Sequence, residues 1–170
     1  MVWKFVIPLQ PKGAARARSA APGGDVRVYP ERHTENWKAA VAYTASKALP
    51  AELLEGPVRI TLVVVLPRPK RLCERSKRTG ELKAGLEEGF MWAPVKPDED
   101  NIKKGLYDGL KAIWRDDCQI TFAGFAKVYS EARGKPRLVV GLERLTDRVP
   151  DWVREFADED VTQRSACADS

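Results

Sequence analysis

Histidine is almost missing from this chain, with His33 the single one. Zinc sites of the H-E-x-x-H kind need two imidazoles and are excluded, and a Ser-His-Asp triad would depend on that one residue. His33 stands just ahead of a helical pattern and reads as a capping or surface residue. Cysteine is scarce too. Cys73, Cys118 and Cys167 are far apart and odd in number, which fits neither a C-x-x-C metal pair nor a secreted disulfide framework and leaves reduced thiols in a cytoplasmic protein. No G-x-x-x-x-G-K-[ST] loop is present, so a P-loop nucleotide site is not supported. No apolar run approaches the roughly 20 residues that cross a bilayer. The amino-terminal MVWKFVIPLQPKG is broken by Pro8 and has neither a basic region nor a small-residue cleavage site. The expectation is a soluble, untargeted protein with no membrane partner.

What the chain has in quantity is charge, unevenly spread. Its 170 residues suit one domain with a core of its own. They carry 29 Lys or Arg against 24 Asp or Glu, a net +5. Residues 151–170 hold two Arg and six acidic residues, which leaves 27 basic and 18 acidic residues, or +9, on 1–150. Such a body suits a polyanion, with nucleic acid ahead of an anionic membrane surface, although net charge alone serves solubility equally well. The division drawn is a domain over 1–150 followed by an acidic tail over 151–170, where Trp152, Val153 and Phe156 suit a helical turn.

Residues 3–9, WKFVIPL, suit a short strand that Pro8 ends or confines to an edge. The following QPKGAARARSAAPGGDVR reads as a mobile basic loop. Between 34 and 49, Trp37, Val41, Thr44 or Ala45, and Ala48 recur at three-to-four spacing ahead of Pro50, which predicts an amphipathic helix. VRITLVVVL at 58–66 is β-branched and nearly continuous in apolarity, the pattern of a central strand. Residues 67–96 show no clean period and read as a long basic excursion, functional or a solvated insertion. A second helix is predicted over 101–113, with Ile102, Leu106, Leu110 and Ile113 as its buried stripe. Gly105 and Gly109 weaken that helix by about 1 kcal/mol each relative to Ala, a cost that suggests close backbone approach to the sheet or to a second copy of the chain. ITFAGFAKVYS and RLVVGLERL read as an antiparallel hairpin turned at EARGKP. The order predicts an α+β single domain, a mixed four-stranded sheet covered by two helices.

The stretch KPDEDNIKKGLYDGL, 96–110, crowds four carboxylates among lysines. In an extended segment Asp98 and Asp100 point the same way and Glu99 the other. Two carboxylates aimed at one spot raise each other's pKa unless a cation lies between them, and a hard divalent ion such as Mg²⁺ suits all-oxygen ligands. Asp100 and Asn101 also suit a helix N-cap, which accounts for one carboxylate and leaves Asp98 without a purpose. Asp100, Lys104, Asp108 and Lys111 form one helical stripe, so Lys104 either pairs with Asp108 or stands one turn from the ion. The run Trp114-Arg115-Asp116-Asp117 closes the predicted helix, where negative charge opposes the helix dipole. If the strand that follows pairs beside 58–66, Asp117 folds back toward Asp98 and Asp100. Three carboxylates, a lysine and a basic surface suit metal-assisted attack of water on a phosphodiester.

These residues resemble a known signature. KPDEDNIKKGLYDGL followed by WRDDCQI is similar to the pattern K-P-D-x-D-N-x-x-K-x-x-x-D-x-L and W-x-D-D-x-Q-[VI] of the RusA family of Holliday junction resolvases. FVIPLQPKGAARAR and VYPERHTENWKAAV resemble that family's opening strand, basic loop and first helix, so the likeness spans about 3–145. It implies Mg²⁺ ligands at Asp98, Asp100 and Asp117, with Mn²⁺ as a substitute, and Lys104 as the lysine required for cleavage. It also implies a homodimer that nicks a four-way DNA junction symmetrically, and a phage or prophage source. Lys12, Arg16, Arg18, Arg68, Lys70, Arg71, Arg75, Lys77 and Arg78 are assigned to phosphate contacts. Glu99 departs from a commonly apolar position. The excursion and the acidic tail have no clear counterpart in shorter members. Two other readings remain: a junction-binding protein that has lost turnover, and a metal-dependent phosphohydrolase of a small substrate.

Overall fold

The computed structural model of the protein describes residues 2–13, 18–20, 27–29, 32–83, 86, 88–146 and 148–158. Strand Val58–Leu66 is buried along most of its length, and such a strand leaves no row of backbone groups unpaired when it has a neighbour on each side. It has both. Val2–Ile7 (β1), Val58–Leu66 (β4), Met91–Trp92 (β5), Ile120–Tyr129 (β6) and Arg137–Arg144 (β7) form a five-stranded sheet in the order β1-β7-β4-β6-β5. β4 runs parallel to β6, in a register that sets Leu62 beside Phe125 and Val64 beside Lys127. It runs antiparallel to β7, Ile60 opposite Leu142. Arg18–Ala20 (β2) and Arg27–Tyr29 (β3) pair antiparallel as a separate ribbon within the basic stretch.

Two helices, Arg32–Ala48 (α1) and Glu99–Leu110 (α2), cover one face of the sheet. Trp37, Val41 and Ala45 of α1 and Ile102, Leu106 and Leu110 of α2 recur every four residues, one turn apart, and all are buried. They meet the alternate residues Ile60, Leu62, Val64 and Leu66 of β4 and Leu138, Val140 and Leu142 of β7. A short third helix, Asp151–Asp158 (α3), lies in the stretch expected to hold a helical turn, and its Trp152 meets the Phe122 ring edge-on at 6.0 Å. Among the described residues no helix is long and apolar enough to cross a membrane.

The α+β class is as the sequence predicts, with one more strand and one more helix. Three details differ. β6 and β7 do not form a hairpin: β4 lies between them, because an apolar strand at an edge would leave one row of backbone groups unpaired. α2 begins at Glu99 and ends at Leu110, so Ile113 and Trp114 are buried beyond the helix, where Leu54 N–H bonds the Ile113 carbonyl at 2.7 Å. The close approach at Gly109 is to α1 and not to the sheet or a second copy. A Cβ there would lie 2.9 Å from Val41 Cβ and 3.2 Å from the Lys38 carbonyl.

The excursion has structure of its own. After a 3₁₀ turn at Lys70–Cys73 the chain folds into a small hairpin, Ser76 N–H bonding Glu81 O at 2.8 Å and Lys83 N–H bonding Glu74 O at 3.0 Å. Gly80, at φ +72°, supplies the left-handed turn residue. The tip presents Lys77 and Arg78 to solvent.

The tight crossing at Gly109 makes one substitution diagnostic. Alanine is the better helix former by about 1 kcal/mol, yet Gly109→Ala should lower stability by about 1–3 kcal/mol through overpacking against Val41. Urea unfolding followed by circular dichroism measures it, and an unchanged or raised midpoint would contradict the packing described.

Candidate active site

The acidic start of α2 is not a side-chain cap. Asp98 is the N-cap residue, at φ −73° and ψ 159°, and its carbonyl accepts the first helical bond from Ile102 N–H at 3.2 Å, while its carboxylate bonds no helix N–H. The helix therefore starts earlier than the N-cap at Asp100 or Asn101 that the sequence suggested. Asp100 sits in the first turn, so it does not share an extended segment with Asp98. Among the described residues neither carboxylate has a hydrogen bond or ion pair. Both are exposed at one end of α2.

Glu99 has a definite occupation. It pairs with Lys103 one turn on, at 2.5 Å, and the Lys103 ammonium rests over the Phe125 ring of β6 at 5.8 Å from its centroid. Lys104 makes no ion pair among the described residues. Asp108, which could have held it, is taken by Lys38 of α1 at 3.0 Å and by Lys111 at 3.5 Å. An exposed, uncommitted ammonium thus stands one turn from Asp100 on the same side of the helix.

Each polar residue of WRDDCQ has a different task. Trp114 is buried, and its indole Nε1–H donates to Asp117 Oδ1 at 2.8 Å, which aims that carboxylate. Asp116 caps the 3₁₀ turn Asp117–Gln119 by accepting Cys118 N–H at 2.8 Å. Those bonds hold its carboxyl below the usual carboxylate range and leave Asp117 free of the capping role. Gln119 accepts Arg115 N–H at 2.8 Å and donates to Leu54 O at 3.0 Å and Gly56 O at 3.1 Å, stitching the turn to the chain entering β4. The cluster thus lies past the end of α2, so it does not oppose the helix dipole as the sequence suggested.

Tyr107 links the two acidic groups. Burial, with the negative charges of Asp117 and Glu99 beside it, pushes its hydroxyl up to about 12, so it stays a neutral phenol. Its ring meets Trp114 edge-on at 6.1 Å. Asp117 and Glu99 thus both lie within electrostatic reach of the Tyr107 hydroxyl. Asp98 and Asp100 lie two positions apart at the start of α2, and Asp117 lies on the 3₁₀ turn beyond its end. Among the described residues no three His, Cys, Asp or Glu side chains stand close enough together to hold an ion. The donors do fit Mg²⁺, which is commonly held by one or two carboxylates with substrate phosphate and water completing the shell. Asp98 and Asp100 are all-oxygen, exposed and uncommitted.

The basic residues divide. Lys12, Lys70, Arg71, Lys77 and Arg78 are exposed, and Arg68 is half-buried. Gly13 packs against Pro97 and Asn101, where a Cβ would come within 3.0 Å and 3.2 Å, so Lys12 beside it lies near the start of α2. Arg75 is engaged within the excursion, holding both oxygens of Glu88 at 2.7 and 3.0 Å and the Gly80 carbonyl at 3.0 Å. Arg16 and the side chain of Arg18 lie outside the described residues, as does Cys167. Cys73 and Cys118 are free thiols.

Trp114, Gln119 and Tyr107 were not singled out from the sequence. The first two stand in the quoted WRDDCQ motif, where a buried tryptophan next to a carboxylate was available as a signal. Tyr107 gave none, since its position follows from the fold.

The family described as "Endodeoxyribonuclease RusA" matches residues 8–143. The "Uncharacterized protein YqaN" of Bacillus subtilis (strain 168) is 31% identical over 144 residues, covering 84% of this chain and 96% of that protein. The match embraces α1, α2, both acidic motifs and the sheet apart from β1 and the last residue of β7, and the chain belongs to the RusA endodeoxyribonuclease family, the family of Holliday junction resolvases.

Proposed function

We propose that this protein is a Mg²⁺-dependent endonuclease that resolves four-way DNA junctions by paired nicks, acting as a homodimer in the cytoplasm. The observation that carries the reading is the exposed group of Asp98, Asp100 and Lys104 at one end of α2, left uncommitted although neighbouring charges are paired. Asp98 and Asp100 are the proposed metal ligands, and Asp117, which does not form one cluster with them among the described residues, is proposed to join them on the ion. An ion held there would supply Lewis-acid polarisation of the scissile phosphate and lower the pKa of an attacking water. Lys104 offsets the charge that develops on the phosphoryl oxygens. Trp114 keeps Asp117 aimed through its indole N–H. Lys12, Lys70, Arg71, Lys77 and Arg78 bind phosphates away from the nick, with Arg16, Arg18 and Arg68 in the same role and Arg75 shaping the hairpin that carries two of them.

Two observations weigh against the other readings. A small phosphorylated substrate calls for an enclosing pocket, whereas the acidic groups are exposed and a cleft of about 660 Å³ is lined elsewhere, by Trp3, Pro50 and Leu53 to Pro57 among others. Loss of turnover through Glu99 is disfavoured by its pairing with Lys103. The homodimer is supported by the sheet face opposite α1 and α2, which α3 meets only at Phe122 among the contacts described. Val2 and Val6 are 65% and 43% exposed, and they share that face with Thr61, Val63, Val139 and Gly141. Arg59 and Glu143 neutralise each other there at 3.1 Å, so the face suits a second copy better than a polyanion, and a two-fold pair suits two symmetric nicks.

Cleavage of a synthetic four-way junction with Mg²⁺ tests the site. Loss of an outer-shell partner of a metal already costs about 10- to 100-fold, so Asp100→Asn should reduce the rate by about 100-fold or more; equal cutting would sink the metal assignment. Lys104→Ala should lower the rate about 10²- to 10³-fold while leaving the melting temperature unchanged, since it removes no ion pair. Replacing Lys77 and Arg78 by Ala should flatten the dependence of log affinity on log salt by about 0.9 per lost phosphate contact; an unaltered slope places DNA elsewhere. Val63→Asp should yield a monomer by sedimentation, and a persisting dimer would exclude the open face as its interface.

A further inference from the structure

Lys127 is a cation on the covered side of the sheet, in line with Phe125 and Tyr129, which pack with the core. An ammonium there needs hydrogen-bond partners to offset its loss of water. It finds them on one short segment. Nζ donates to the carbonyls of Val95 and Pro97, the latter at 3.0 Å, and the Lys127 backbone carbonyl accepts Ala93 N–H at 3.1 Å. Alternate residues 93, 95 and 97 are thus fastened to a single residue of β6. The next residue is Asp98.

Lys127 engages carbonyls and leaves the carboxylates alone. Two of its three N–H donors are taken by Val95 and Pro97, and neither Asp98 nor Asp100 is paired with it. The negative charge at the start of α2 is therefore left for a cation while the chain that presents it is held. Residues 93–97 follow the two-residue strand β5 and lie outside helix and sheet, so the lysine supplies order that a backbone ladder would supply elsewhere.

We propose that Lys127 is a positioning residue of the nuclease site, tethering the segment that leads into Asp98 so that this carboxylate and the first turn of α2 are presented in one place. The proposal rests on the nuclease reading above and adds to it a residue outside the acidic motifs.

The test compares wild type, Lys127→Met and Lys127→Arg. On a four-way junction with Mg²⁺, Lys127→Met should lose about 10- to 100-fold in kcat, the size of effect seen when outer-shell support of a metal site is removed, with KM for DNA within twofold. Without metal, hydrogen exchange at the amides of Val95, Lys96 and 98–101 should quicken at least tenfold, with β4 and β7 unchanged. Lys127→Arg, which can still reach two carbonyls, should recover most of both. Wild-type kcat and exchange in Lys127→Met would overturn the proposal, as would a folded Lys127→Arg that recovers neither. If Lys127→Met fails to fold, Lys127→Gln carries the same two comparisons. A wild type that cuts no junction would overturn the nuclease reading instead, while the metal-free exchange would still decide whether the tether exists.

Discussion

The parallel pairing of β4 with β6 is the constraint on which the rest of the molecule depends. Parallel neighbours cannot be joined by a tight turn and need a crossover of a dozen or more residues. Here the crossover runs from Pro67 to Gln119 and carries the basic hairpin, β5, the segment tethered to Lys127, α2 and the WRDDCQ turn. α2 can bury Ile102, Leu106 and Leu110 only by lying on the sheet beside α1. That sets the start of α2 over Phe125 and Lys127 of β6, and the end of the crossover beside Tyr107. The acidic residues owe their placement to this path.

Charge around α2 is arranged so that most of it is cancelled locally. Glu99 with Lys103, and Asp108 with Lys38 and Lys111, are pairs of partly exposed groups that contribute little to stability individually. Their effect is selective. By occupying the neighbours they leave Asp98, Asp100 and Lys104 without partners among the described residues, and ions with no internal compensation are the ones available to a cation or a phosphate. Asp116 and Gln119 do the same for the second acidic motif, taking the capping and stitching tasks so that, among the described residues, the Asp117 carboxylate is bound only through the Trp114 indole.

Much of the fold was legible because periodicity reports burial. The stripe of Trp37, Val41 and Ala45, that of Ile102, Leu106 and Leu110, and the apolar run of β4 all lie where their spacing puts them. What was not legible concerned partners. A strand pattern does not say which strand lies beside it, and the sequential reading of β6 and β7 as a hairpin gave way to β4 between them. A two-residue strand such as β5 carries no period at all. Gly109 advertised a close approach without naming Val41 as the neighbour.

The acidic motifs show the same division. The sequence by itself determined the fold class, the central strand, both packed helices and the family, because hydrophobic spacing and the K-P-D-x-D-N and W-x-D-D-x-Q patterns are local properties of the chain. Only the tertiary structure decided that Asp98 and not Asp100 is the N-cap residue, that Glu99 is occupied by Lys103, that Asp117 is aimed by Trp114, and that Lys127 holds the approach to Asp98. These depend on which side chains meet after the crossover folds back onto the sheet, and that distance in space is not encoded in distance along the chain.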